Sequence, residues 1–366
     1  MTAAAAQIAR AYRGRRALVT GHTGFKGGWL SLWLHDLGAE VSGYALAPDA
    51  GPTLYGAARI DELVRSVEAD VRDRERFAAE VAKAQPDVIF HLAAQPLVRK
   101  SYREPVETFA VNVLGTAHLL EAVRGLKRPC AVVIASSDKC YENDGARRAR
   151  RESDALGGHD PYSASKAGCE LVVSSYRASF FPPERLGEHG VALGSVRAGN
   201  VIGGGDFAED RIVPDAIRAF AAQRPLEVRS PEATRPFQHV VEPLAGYLIL
   251  GARLLGEGGS RAEVCRPFNL GPAGSSTVRA LVDGLGAAWG AGARWEHRVP
   301  AAAAHEAQTL ILDSSDARDR LGWTPHFGLA DAAVRTANWY RAWHGGAAPG
   351  QLRDLFRRDA ADWLSR

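Results

Sequence analysis

Short apolar runs and stretches of helical period alternate along the first two hundred residues. Residues 16–20 carry the apolar run Ala17, Leu18 and Val19 and end at Gly21; a turn later Trp29, Leu30, Trp33, Leu34 and Leu37 recur at helical spacing. The pattern predicts a strand, a glycine loop and a helix. Further strands are expected over residues 41–46, 64–67, 88–92, 131–136 and 191–197, with helical stretches between them. Strands apolar on both faces belong in a sheet covered on both sides, so the expected class is α/β, a Rossmann-type doubly wound parallel sheet.

After about residue 200 the rhythm changes. Glycine and proline punctuate the chain at Gly203, Gly204, Gly205, Pro214, Pro225, Pro231 and Pro236, and Phe268, Asn269 and Leu270 form a short strand-like run. Residues 16–200 are therefore expected to be mainly a cofactor-binding domain. Residues 201–366 are expected to be mainly a smaller, interleaved substrate lobe, with a strand near 267–270 returning to the main sheet. Residues 1–15 read as a frayed N-terminal leader, and no apolar stretch reaches the length of a signal core or a membrane span.

With 46% hydrophobic and 24% charged residues in 366, the chain has the composition of a folded globular protein. Its net charge of +3, from 45 basic and 42 acidic residues, provides no field for nucleic acid or for a membrane surface. The densest basic run, Arg147, Arg148, Arg150 and Arg151, reads as a solvated loop face. Cys130, Cys140, Cys169 and Cys265 form neither CxxC pairs nor a zinc spacing, so no metal is expected and a reduced, cytoplasmic setting fits.

Gly21, His22, Thr23, Gly24, Phe25, Lys26 and Gly27 spell GxxGxxG between the first strand and the first helix. Glycine permits a tight turn and a close backbone approach, and the helix N-terminus offers free amides to a pyrophosphate. The second strand ends without an acidic residue for a ribose diol and without an arginine for a 2′-phosphate. Asp70 and Val71 follow the third strand, where the aspartate serves either the adenosine end of a cofactor or a helix cap.

Tyr162 and Lys166 stand at i and i+4 on one predicted helix face. An ammonium beside a phenol favours the phenolate, which can then exchange a proton with a substrate hydroxyl. Upstream, Asp138 and Lys139 directly follow Ser136 and Ser137 at the carboxyl end of a predicted parallel strand, where open α/β sheets bind ligands. The pair supplies an acid and a base, or else a local salt bridge.

GxxGxxG, His91-Leu92-Ala93-Ala94-Gln95, Ser136-Ser137 and YxxxK occur in the order of the extended short-chain dehydrogenase/reductase family, which the chain resembles over nearly its whole length. The segments from Ser136 to Asn143, Arg197 to Asp206 and Arg235 to Val240 resemble the CDP-glucose 4,6-dehydratases within it, which carry lysine at the Lys139 position where other nucleotide-sugar dehydratases usually carry glutamate. The resemblance implies NAD as cofactor, held by the glycine loop, Asp70, Val71, Leu92, Ala93, Ala94, Tyr162 and Lys166. It also implies a nucleotide-sugar substrate facing Gln95, Asn200, Arg211 and Arg235, and a homodimer or higher homo-oligomer packed through two helices per subunit. Ser137 would orient the reacting hydroxyl, and Asp138 and Lys139 would remove water across C5 and C6 of a 4-keto sugar. Asn112 takes a structural or a cofactor role, and His239, His305 and Glu306 look like cleft or subunit-packing residues.

Overall fold

The computed structural model describes residues 3–143, 145, 148–272, 274–298 and 311–366. Its centre is a seven-stranded sheet, every strand parallel to its neighbours. The strands are β1 (Arg16–Thr20), β2 (Glu40–Ala45), β3 (Arg65–Glu68), β4 (Val88–His91), β5 (Cys130–Ala135), β6 (Val191–Ala198) and β7 (Pro267–Leu270). They lie side by side in the order β7-β6-β5-β4-β1-β2-β3, which reverses direction between β1 and β4. Sheets of this kind open a ligand crevice at such a reversal, beyond the carboxyl ends of the strands.

Among the described residues ten longer helices accompany the sheet: α1 (Ala3–Tyr12), α2 (Phe25–Asp36), α3 (Arg74–Ala84), α4 (Gly115–Arg124), α5 (Pro161–Ser179), α6 (Ile212–Ala221), α7 (Val241–Leu255), α8 (Val278–Trp289), α9 (Leu329–His344) and α10 (Pro349–Ser365). Alternate residues of each strand point to opposite faces. Val19, Phe90, Val133 and Val196 therefore join the core shared with α1, α2 and α7, whereas Leu18, Ile89, Val132 and Leu193 join a second core with α3, α4 and α5.

The expected N-terminal leader is a helix. Ile8, Ala11 and Tyr12 recur at helical spacing and are buried, and the Tyr12 hydroxyl donates to Leu248 O on α7 at 2.6 Å. The alanines among residues 3–6 supply helix propensity, and tertiary burial does the rest.

The later elements close over one end of α2. Trp29 stacks on Phe356 of α10 at 4.5 Å between ring centres and meets Trp339 of α9 edge-on. Its indole N–H donates to Gly204 O at 2.8 Å. Short strand pairs (Val201–Ile202 with Gln238–His239, Leu226–Val228 with Trp295–His297, Thr234–Arg235 with Ser276–Thr277) stiffen this region. Among the described residues no helix is long and apolar enough to cross a membrane.

The basic run divides. Arg148 and Arg151 are exposed and pair with Asp154 and Asp313. Arg150 is buried instead: its backbone bridges Leu312, and its carbonyl accepts from Asn269 Nδ2 at 2.8 Å. Arg147 lies outside the described residues, as do His305 and Glu306.

Candidate active site

The glycine loop leaves β1 through Gly21, whose φ of +74° favours glycine. A Cβ at Gly21 would stand 2.8 Å from Ala93 N, and one at Gly27 would run into Gly21 O. At Gly24, by contrast, an added Cβ meets nothing nearer than Gly21 O at 3.4 Å. Gly24 is also the N-cap of α2. The loop is thus packed against its own protein on one side and bare at the helix N-terminus, the cradle a dinucleotide pyrophosphate fits.

The loop's side chains serve different ends. His22 turns inward, occupies the space that Gly43 leaves by lacking a side chain, and bonds Ser66 Oγ at 2.8 Å. Burial pushes its imidazole down to about 4. Thr23 ties the loop to Leu46 O at 3.1 Å, and Phe25 packs against Gly203. Lys26 reaches Tyr247 of α7, its Nζ donating to the phenol oxygen at 3.3 Å.

Thr20, the last residue of β1, is a contributor that the sequence did not single out. Its hydroxyl oxygen accepts the amides of both Leu92 and Ala93 at 3.1 Å and bonds His91 Nδ1 at 2.8 Å. One side chain therefore fixes the segment after β4 beside the glycine loop. Desolvation, with Lys166 adding to it, pushes His91 down to about 3.

Asp70 closes a turn, its Oδ1 accepting Arg72 N at 2.8 Å and its Oδ2 accepting Arg72 Nε at 2.9 Å. The arginine's hydrogen bonds hold its carboxyl below the ordinary range. Val71 is buried, and its carbonyl bonds the His118 ring.

Gln95 is buried: its amide nitrogen donates to Leu97 O and Thr108 Oγ1, and its Oε1 accepts Leu97 N at 2.7 Å. Asn112, on a π-type turn, exchanges two hydrogen bonds with the Gln95 backbone and donates to Ser165 Oγ at 2.8 Å. It latches the segment after β4 to α5.

Asp160 and Pro161 start α5. The aspartate caps Ser163 N at 2.9 Å and the proline fits the first helical position. Tyr162 and Lys166 are both buried, and Lys166 Nζ donates to Ala135 O at the end of β5 at 3.4 Å. Ser137 follows that strand and donates to Asp138 Oδ1 at 3.0 Å. Asp138 is buried, its Oδ1 also accepting Lys139 Nζ at 3.3 Å while its Oδ2 has no partner. Lys139 Nζ reaches Asn200 Oδ1 as well, at 3.4 Å.

Beneath these groups lies a buried polar network that the sequence reading missed. Arg197 pairs with Glu170 at 2.9 Å and donates to the Tyr141 hydroxyl at 2.9 Å, which in turn donates to Asn269 Oδ1 at 2.6 Å. Glu170 is one further turn along α5 from Lys166, a spacing that was a readable signal. The network binds α5, β6, β7 and the loop after β5 into one unit.

On the far side, Arg211 pairs with Asp206 at 2.9 Å and Arg235 donates to Thr234 O at 2.9 Å. A guanidinium presents its donors as a fork whose geometry suits phosphate. His239 is buried beside Asp359 and Phe327, away from these groups. The four cysteines are free and buried, and no group of three or more metal-ligating side chains stands together among the described residues.

Residues 18–247 match the family model described as GDP-mannose 4,6 dehydratase. The chain is 45% identical to the CDP-glucose 4,6-dehydratase of Salmonella typhimurium over 359 residues, 97% of each chain. It belongs to the nucleotide-sugar 4,6-dehydratase family of extended short-chain dehydrogenases/reductases. Another dehydratase relative, the dTDP-glucose 4,6-dehydratase of Streptomyces antibioticus, is 30% identical over 344 residues, 88% of this chain and 92% of that one. Among solved structures, the dTDP-glucose 4,6-dehydratase DesIV of Streptomyces venezuelae, determined with NAD bound, superposes with a TM-score of 0.73 at 26% identity, covering 90% of this chain and 98% of the other.

Proposed function

We propose that this chain is a CDP-glucose 4,6-dehydratase, converting CDP-glucose to CDP-4-keto-6-deoxyglucose and water. The observation that carries the reading is the 45% identity, over 97% of both chains, to an enzyme of that name. The site offers the groups such a reaction needs: a phenol with an ammonium on the same helix face, and a carboxyl and an amine directly after β5.

In this reading Tyr162 takes the proton from the C4 hydroxyl, Lys166 favours the phenolate, and Ser137 orients the hydroxyl. NAD in the glycine cradle, beside Leu92, Ala93, Ala94, Asp70 and Val71, supplies the reversible two-electron acceptor. The resulting 4-keto group acidifies the proton at C5. Lys139 removes that proton or, as an ammonium shared with Asp138 and Asn200, stabilises the enolate. Asp138 protonates the departing C6 hydroxyl, a task suited to a buried carboxyl with one oxygen unpartnered, and the hydride taken from C4 would then return to C6 as a proton returns to C5, leaving the cofactor oxidised as it began. Arg211, Arg235 and Asn200 serve the nucleotide diphosphate and ribose, and Gln95 faces the substrate.

Residues 16–200 are mainly the cofactor part and residues 201–366 mainly the substrate lobe. A homodimer is supported by the exposed apolar side chains Val106, Phe109, Leu114 and Leu171, three of them more than half exposed, on neighbouring helical segments. Free, buried cysteines support a cytoplasmic setting.

The deciding experiment incubates the pure protein and NAD with CDP-, dTDP-, GDP- and UDP-glucose and reads the products by mass spectrometry. Loss of one water from CDP-glucose in preference to the others is the expected result. A product of unchanged mass, or preference for another nucleotide, overturns the assignment.

A further inference from the structure

Asp138 and Lys139 sit on a single tight turn, Asp138–Cys140, strung between two fixed points. At its near end Ser136 N donates to Val196 O at 2.8 Å, which carries the ladder between β5 and β6 up to Ser137. At its far end Tyr141 is buried, and its hydroxyl is used twice: it accepts Arg197 Nη1 at 2.9 Å and donates to Asn269 Oδ1 at 2.6 Å. Those partners are fixed in turn. Arg197 and Asn269 are register neighbours on β6 and β7; the arginine also pairs with Glu170 at 2.9 Å, and the asparagine amide nitrogen is spent on Arg150 O and Asp313 O.

The side chains of the turn itself are held less firmly. Lys139 Nζ reaches Asp138 Oδ1 at 3.3 Å and Asn200 Oδ1 at 3.4 Å, both longer than either bond of the Tyr141 hydroxyl, and the lysine side chain is 33% exposed. Tyr162 and Lys166, by contrast, ride on α5, which is fixed by its Asp160 cap, by Asn112 on Ser165 and by Glu170 on Arg197 and Ser195. None of those three ties passes through the Tyr141 hydroxyl. A phenol that spends its donor and its acceptor on two different strands has its place set by both, and the turn that ends on it inherits that place.

We propose that Tyr141 is a positioning residue for the elimination half of the reaction: its hydroxyl, clamped between Arg197 and Asn269, fixes Asp138 and Lys139 against the sugar, while the redox set on α5 keeps its own anchors. This rests on the reading above in giving Asp138 and Lys139 the loss of water across C5 and C6.

The test is Tyr141→Phe, which keeps the ring in its cluster with Cys140, Leu156 and Leu312 and removes the two hydrogen bonds. In single turnovers of CDP-glucose with NAD in deuterated water, NADH should form within about twofold of the parent's rate and accumulate, while C5 exchange and water loss fall about 10- to 100-fold, the loss expected when reacting groups are displaced by about 1 Å. Leu156→Ala, which loosens the same cluster but leaves both hydrogen bonds, is the structural control: it should lower the urea midpoint and leave the ratio of the two rates as in the parent. Equal slowing of oxidation and elimination in Tyr141→Phe overturns the proposal, as does the same selective slowing in Leu156→Ala. Amide hydrogen exchange read by mass spectrometry needs no substrate: Tyr141→Phe should speed exchange over residues 138–143 and not over residues 160–170, and unchanged exchange at 138–143 also overturns the proposal. A parent that dehydrates none of the four nucleotide sugars would instead count against the proposed function, and the exchange measurement would still decide whether the hydroxyl holds the turn.

Discussion

Asp138 and Lys139 share one hydrogen bond, Nζ to Oδ1 at 3.3 Å, which leaves the other carboxylate oxygen buried and without a partner. The two neighbours thus present different faces to a ligand: the aspartate a spare oxygen, the lysine an ammonium that also reaches Asn200. Their variants should fail at different steps. With CDP-glucose in deuterated water, Asp138→Asn is expected to exchange the C5 proton but to expel water slowly, whereas Lys139→Met is expected to stop before C5 exchange. Normal exchange in Lys139→Met removes the lysine from the base role, and normal product formation in Asp138→Asn removes the aspartate from the acid role.

Tyr162→Phe should lower turnover by about 10²- to 10⁴-fold, the usual loss when a general acid or base is removed. The helix holds its place through Asp160, Asn112 and the Glu170–Arg197 pair rather than through the phenol. Circular dichroism and thermal unfolding should therefore match the parent. Turnover near the parent's would take Tyr162 out of the mechanism.

Thr20→Val deletes the acceptor of two backbone amides and a partner of His91. Leaving buried donors unsatisfied costs about 1–3 kcal/mol, so the urea midpoint should fall accordingly. NAD affinity should weaken too, because the segment at Leu92 and Ala93 keeps only the bond from Leu92 N to Thr20 O. An unchanged midpoint would show that water replaces the hydroxyl.

Three imidazoles are held neutral by burial: His22 at about 4, and His91 and His239 each at about 3, against an ordinary value near 6.5. The unfolded chain takes up these protons as the pH drops through about 6.5, and the folded chain refuses them until far lower. Stability is therefore full above that point and declines steadily as the pH falls toward 4. Urea midpoints measured across this window should show the decline, and His91→Gln should make it shallower. An equal slope in the variant would acquit His91.

If the exposed apolar side chains are an interface, placing charge there should separate the subunits. The double variant Val106→Glu, Leu171→Glu is expected to sediment as a monomer while the parent sediments as a dimer or larger. A monomeric parent would remove the reading.

Much of the architecture was legible because buried strands are written in runs of apolar residues: the expected run at 16–20 matches β1, and the other five predicted strands fall within one residue of the observed ends. The YxxxK face was legible for the same reason, since i and i+4 determine a helix face whatever the tertiary context. Direction was harder to read. Nothing local says that His22 turns inward, that Gln95 spends its amide on Leu97 and Thr108, or that Lys26 meets a tyrosine more than two hundred residues away. Those outcomes depend on partners the fold brings from distant segments. Arg150 illustrates the same limit, an arginine in a basic run whose backbone is claimed by residues 311–313.

The first helix has a bearing on how the chain is made. Ile8, Ala11 and Tyr12 find much of their cover on α7, and the Tyr12 hydroxyl its acceptor at Leu248, so a stretch made early is packed only when one made 236 residues later arrives. Until α7 has emerged, Phe90 of β4 offers Tyr12 a ring contact but the stripe lacks its helix cover, and a growing chain is open to non-native association for as long as it waits. Synthesis halted before Leu248 would leave the stripe without the seam that closes late.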